Sequence, residues 1–224
     1  MGADNQPKAR QAAKLQRKQG RRPGLDRILI VCEGSKTEPQ YLEEIRQQLR
    51  LPSAHIEVRH SLLGTCPMQV VECAEQLFRE GNMSLGIKAK SFEQVYAVFD
   101  RDEHLRYAEA LAHAAALDGR LKNDLKQKVK FEAIASVPCF ELWLLLHFED
   151  CLAPIDRGVA RQRLRRHLPD YEKGQGGHYA NTQDHFDIAS GRAAQLAART
   201  TAMDGIQPYT DMHRLVAVLT QLKK

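Results

Sequence analysis

Ile28-Leu29-Ile30-Val31-Cys32, followed at once by Glu33-Gly34, is an unbroken apolar run that stops on a carboxylate and a glycine. An unbroken run, as opposed to an alternating one, predicts a strand covered on both faces, the situation of a parallel sheet. After a short turn, Thr37 to Arg50 carries apolar residues at Tyr41, Leu42, Ile45 and Leu49, with Pro39 in its first turn. That is the spacing of a helix with one buried side. Strand, tight turn and helix open a βαβ unit.

The alternation recurs downstream. His55 to His60 predicts a second strand and Pro67 to Arg79 a second helix, with Val70, Val71, Ala74, Leu77 and Phe78 on one side. Residues 80–92 read as a loop. Val95-Tyr96-Ala97-Val98-Phe99 is another apolar run and passes directly into Asp100-Arg101-Asp102. His104 to Leu117, rich in alanine and leucine, predicts a helix. Phe131 to Ser136 predicts a fourth strand, and Cys139 to Phe148 a short apolar helix entered through Pro138. Strands alternating with helices imply an α/β protein with a parallel sheet and right-handed crossovers, whose ligands bind beyond the carboxyl ends of the strands. Further on, Gly158 to Leu168 predicts a basic amphipathic helix, Gly174 to Gly177 a flexible loop, and Ala189 to Met203 and Asp211 to Leu222 two more helices. The expected organisation is a basic arm over residues 1–25 ending in Arg21-Arg22-Pro23-Gly24, an α/β core over 26–150, and a helical extension over 151–224 packed on that core.

With 224 residues, 43% of them apolar and 27% charged, the chain can bury a sizeable core. No apolar run approaches the roughly 18 residues of a membrane helix, and no signal-peptide core stands at the N-terminus, so a cytoplasmic protein without a membrane partner is expected. Cys32, Cys66, Cys73, Cys139 and Cys151 form no CxxC pair, which favours reduced thiols over a disulfide framework or a zinc knuckle. Charge is unevenly placed. Seven basic residues within 1–22, among them Lys14, Arg17, Lys18, Arg21 and Arg22, face Asp4 alone, so the arm carries +6 and leaves −1 of the chain's net +5 to the rest. Such an arm neutralises nucleic-acid phosphates or simply solvates the chain.

Three acidic signals fall at or just beyond predicted strand ends. Glu33 follows the first strand, and Gly34 permits close backbone approach there. Asp100 and Asp102 follow Val95 to Phe99; on an extended backbone residues two apart share a side, so the pair is expected to converge while Arg101 faces away. Converging carboxylates repel one another, and a hard divalent cation relieves that repulsion. A lone DxD more often caps a helix, but a Glu-Gly turn after another parallel strand favours a site. Glu141 has Leu144, Leu145 and Phe148 as helical neighbours, so its carboxylate sits on an apolar surface, costly unless paired or bound to metal.

A Glu-Gly turn after one strand and a DxD after a later one resemble the Toprim domain of topoisomerases, primases and OLD-type nucleases. The wider strings, Cys32-Glu33-Gly34 with Thr37-Glu38-Pro39, then Val98 to Asp102, then Pro138 to Phe148, resemble the RloB family, Toprim-like proteins encoded beside bacterial restriction systems. The resemblance covers about residues 26–170 and implies a Toprim-like, Rossmann-like sheet with a helical extension. It implies Glu33 as metal ligand or general acid/base and Asp100 and Asp102 as holders of Mg²⁺, with Mn²⁺ an alternative. OLD-type nucleases place a second acid four residues after the first, whereas Glu38 comes five after Glu33, a departure at the second-metal position. Lys36 matches no fixed Toprim ligand but stands where it can neutralise a scissile phosphate.

The activity so implied is metal-assisted phosphodiester hydrolysis of DNA or RNA, tRNA included, in antiviral abortive infection, with a partner ATPase or restriction-system protein. Arg161, Arg165 and Arg166, with the arm, would contact phosphates. The alternative is a non-catalytic nucleic-acid-binding or sensing subunit whose acids are structural. The sequence has no HExxH and no G-x-x-x-x-G-K-[ST], which speaks against zinc hydrolysis and a P-loop ATPase. His104, just after the DxD, can assist at the site but reads first as an exposed helix start; His147 reads as a satisfied core histidine and Cys32 as a small buried apolar residue.

Overall fold

β1 (Ile28–Cys32) is buried at every position. Its side chains divide between two layers: Ile28, Ile30 and Cys32 enter one apolar cluster, Leu29 and Val31 the other. This is the covering on both faces that an unbroken apolar strand demands. The computed structural model describes residues 26–102 and 104–222; the basic arm, with Lys14, Arg17, Lys18, Arg21 and Arg22, lies outside them.

The sheet has five strands in the order β2-β1-β3-β4-β5, where β2 is Ile56–His60, β3 Gln94–Asp100, β4 Lys130–Val137 and β5 Tyr209–Thr210. β1 pairs in parallel with β2 and β3, and β3 in parallel with β4; β5 alone runs antiparallel, against Ser136 and Val137. The protein is an α/β protein of Rossmann-like build with further helices at its C-terminal side.

On one face lie α1 (Thr37–Gln48), α4 (Glu141–Leu145), α5 (Arg157–His167), α6 (His178–Thr182), α7 (Phe186–Ala197) and α8 (Met212–Gln221). On the other lie α2 (Pro67–Glu80) and α3 (Tyr107–Leu117). Leu164, Tyr179, Ala193 and Leu219 share a single apolar cluster with β1, so the last seventy residues complete the core begun by the first strand. Each large apolar side chain fully buried in this way contributes about 1.5–3 kcal/mol. No helix among the described residues is long and apolar enough to cross a membrane.

Several expectations need correction. α3 starts at Tyr107, not His104: the residues described ahead of it are not helical, and Arg101 Nη1 donates to the carbonyls of Asp102 and His104 at 2.9 and 3.2 Å. The Arg101 guanidinium itself lies 4.9 Å over the Tyr107 ring, as a side chain turned away from the acids would. α4 is half the expected length and starts after the cis Val137–Pro138 bond. α7 runs from Phe186 to Ala197, ahead of the expected span. The Gly174–Gly177 loop is held, not loose: Gly174 N–H donates to Thr37 Oγ1 at 3.0 Å and Gly177 N–H to Glu44 Oε1 at 2.5 Å.

Candidate functional site

β1 and β3 are adjacent and parallel, so both deliver their last residues to the same edge of the sheet. Glu33 N–H donates to Val98 O at 2.8 Å, which continues the ladder one step beyond β1. Its side chain then crosses to the neighbouring strand, where Asp100 N–H donates to Glu33 Oε2 at 2.9 Å. The last residue of β3, Asp100, is 6% exposed.

α1 adds a third carboxylate. Glu38 lies in its first turn and packs over Gly34: a Cβ there would stand 2.3 Å from Glu38 Oε2. Glycine at position 34 thus makes room for the carboxylate. Glu38 is 5% exposed, and its Oε2 has no hydrogen-bond partner among the described residues.

The charges act on one another. Burial raises Glu33 to about 7; the Asp100 N–H opposes this, and Asp102 and Glu38 add to it. Asp100 is pushed well above the usual carboxylate range by burial and then by Glu38, Glu33, Glu141 and Asp102. Glu38 is also raised, by burial first, its own backbone N–H and Lys173 opposing and Glu141 and Asp102 reinforcing. The structure thus gathers the five acids singled out in the sequence into one electrostatic cluster. A buried group of this kind is unfavourable without a cation or protons.

The DxD pair does not converge by strand alternation. Asp100 ends β3, but Asp102 sits in the following turn at φ +33°, outside extended geometry. Asp102 instead pairs with Arg157 Nη1 at 2.9 Å and lies with Glu33 and His104, each offering one ligand atom, all within 4.8 Å of one another. His104 is no exposed helix start: its Nε2 stands 3.7 Å from Glu33 Oε1.

Glu141 has a different setting. Arg161 Nε and Nη2 both donate to its Oε1 at 3.3 Å, and the residue is 1% exposed. Burial works to raise it, but the Cys139 thiol, its own backbone N–H and the charges of Lys173 and Arg161 outweigh this and hold it low. Arg161, expected to meet phosphates, is thereby engaged inside the protein, while Arg165 donates to Tyr171 O at 3.2 Å and Arg166 is exposed. Lys36 is exposed at the start of α1, its stem against Gly174. Sequence reasoning missed Lys173, whose charge reaches Glu33, Glu38 and Glu141; it is brought there by the fold-back of a loop whose Gly174 bonds Thr37, and that contact leaves no signal in the sequence.

Elsewhere, Cys32 is fully buried as expected. His147 is only half satisfied: Nδ1 meets Trp143 O at 2.9 Å, while the buried Nε2 has no partner among the described residues.

A Rossmann-like α/β protein with a buried acidic cluster at the carboxyl edge of its two central parallel strands is the class this geometry defines. Comparison with known families narrows it: the model of the RloB-like protein family matches residues 28–219, so the chain belongs to that family. No curated protein matches it, and no solved structure does.

Proposed function

We propose that the protein is a divalent-metal-dependent nuclease that hydrolyses phosphodiester bonds. The observation that carries this reading is the set of like charges at the ends of β1 and β3, with Glu33 held near 7 and Glu38 Oε2 unpartnered. The donors fit a hard divalent ion: Glu33, Glu38, Asp100 and Asp102 are oxygen donors, of the kind that suits Mg²⁺ or Mn²⁺. A bound ion of this type supplies Lewis acidity and positive charge at a phosphoryl oxygen.

The chain's own groups supply the remainder. With its carboxyl near 7, Glu33 can take up or release a proton at neutral pH, the property of a general acid/base. Asp102 is fixed by Arg157, while Lys36 and Arg166 stand exposed and free to meet phosphates. Nucleic acid, either DNA or RNA, is the substrate class; the arm and these cations favour a polyanion. The restriction-linked antiviral setting, with its partner ATPase or restriction protein and cytoplasmic location, rests on the family resemblance.

A second reading has its own support. Arg157 and Arg161 already neutralise Asp102 and Glu141, as in a binding or sensing subunit with structural acids. One experiment separates the two. Duplex DNA, single-stranded DNA, tRNA and total RNA are incubated with Mg²⁺, Mn²⁺ or EDTA and wild-type protein or the Asp100→Ala/Asp102→Ala variant. The nuclease reading expects metal-dependent cutting that the folded variant lacks. Nucleic-acid binding indifferent to metal, with no cutting, supports the second.

A further inference from the structure

His104 is the one nitrogen donor in the group formed with Glu33 and Asp102. Its side chain is 30% exposed, and its ring makes no hydrogen bond among the described residues, its polar neighbour being Glu33 Oε1 at 3.7 Å. The backbone that carries the ring is fixed, because Arg101 Nη1 donates to His104 O at 3.2 Å while the same guanidinium stacks on Tyr107. A second observation points to a cation at this place: Glu38, 5% exposed, packs an unpartnered carboxylate oxygen over Gly34, the residue that follows Glu33.

We infer that the His104 imidazole is a ligand of the cation bound by Glu33 and Asp102, and that it biases the site towards a divalent transition ion, Mn²⁺ over Mg²⁺. The inference rests on the cation-binding half of the proposed function. Mg²⁺ gives up water reluctantly and favours oxygen donors, whereas imidazole binds transition ions progressively better along their affinity order. Ligand atoms within 4.8 Å of one another can be drawn onto one ion, with bonds of about 2 Å, by small side-chain rotations. A site of carboxylates alone has no such bias beyond the general order of the ions.

The test uses the full chain stripped of metal. Mn²⁺ and Mg²⁺ are titrated separately by calorimetry into wild type, His104→Ala and His104→Gln, and the Mn²⁺-loaded proteins are examined by pulsed electron paramagnetic resonance for coupling to ¹⁴N. Expected are nitrogen coupling in wild type and its loss in both variants. Mn²⁺ affinity should drop about tenfold or more in His104→Ala while Mg²⁺ affinity changes far less. His104→Gln, which keeps a donor but no imidazole, should bind both ions with the Mn²⁺ preference reduced. Absence of nitrogen coupling in wild type, or equal losses for both ions, overturns the inference. Failure of wild type to bind either ion overturns it together with the proposed function. Nitrogen-coupled Mn²⁺ in a protein that cuts nothing supports it and removes only the nuclease reading.

Discussion

Glu38 packs over Gly34 with one carboxyl oxygen unpartnered, so the metal-free fold bears an unsatisfied buried acid next to others, unfavourable when ionised. Removing that charge in place should stabilise the metal-free protein while weakening the site. Glu38→Gln is expected to raise its melting temperature by a few degrees, about 1 kcal/mol, and to diminish the further rise produced by Mg²⁺ or Mn²⁺. Thermal melts with and without metal check this, and a lower metal-free melting temperature would contradict it. Protonation gives a second prediction. Glu33 sits near 7 against an ordinary 4.5, so the folded chain holds this proton more tightly than the unfolded one. The stability this confers is complete below about 4.5 and is lost as pH rises to about 7, at most about 3 kcal/mol. His147, buried and lowered to about 4, acts in the opposite sense, adding stability as pH rises towards 6.5. The quantity to measure is therefore the difference between wild type and Glu33→Gln from pH 4.5 to 8 without metal. Wild type should lose ground to the variant across this range; a constant difference would refute the assignment.

Among the elements, α1 and α4 are tied by the hydrogen bond from Trp143 Nε1 to the Tyr41 hydroxyl, 2.9 Å long and fully buried. Tyr41→Phe would strand the indole N–H and should cost about 1–3 kcal/mol, measurable by urea unfolding with an unchanged m-value. How legible an element was depended on how local its causes are. β1, α1 and β3 could be read from sequence because unbroken apolar runs and helical spacing record burial directly. β5 could not: two residues, Tyr209 and Thr210, are held by pairing with β4 and by contact between Ser136 Oγ and Thr210 Oγ1 at 3.0 Å, and neither leaves a pattern. The site divides in the same way. Glu33 and Asp100 follow from their strands, and Glu38 from the helix after β1. His104 and Lys173 depend on how a turn and a distant loop fold back, and the positive φ of Asp102 defeats the extended-chain argument for the DxD pair.

At the scale of the whole chain, a basic arm precedes β1 in sequence, and the acids gather at the carboxyl ends of β1 and β3. If the arm binds phosphates, deleting residues 1–22 should reduce the salt dependence of duplex DNA binding, by up to about 6 in the log–log slope, without altering the metal-dependent rise in melting temperature. Fluorescence anisotropy at several salt concentrations measures this, and an unchanged slope would assign the phosphate contacts to the folded body. The family match over residues 28–219 spans both the sheet and the helices that follow it.

The sharing of one apolar cluster by β1 and α8 has a consequence for synthesis. The layer holding Ile28, Ile30 and Cys32 is closed by Leu215, Val216 and Leu219, contributed by α8, far along the chain from β1. Contacts so distant in sequence are slow to form, and during translation the early strands must wait with one face open until α8 has left the ribosome. The cations that temper the acids, Arg157, Arg161 and Lys173, also follow all five acids in sequence. A nascent chain therefore carries its acids well before it can assemble the site, so any activity the site has would be withheld until α8 has been made.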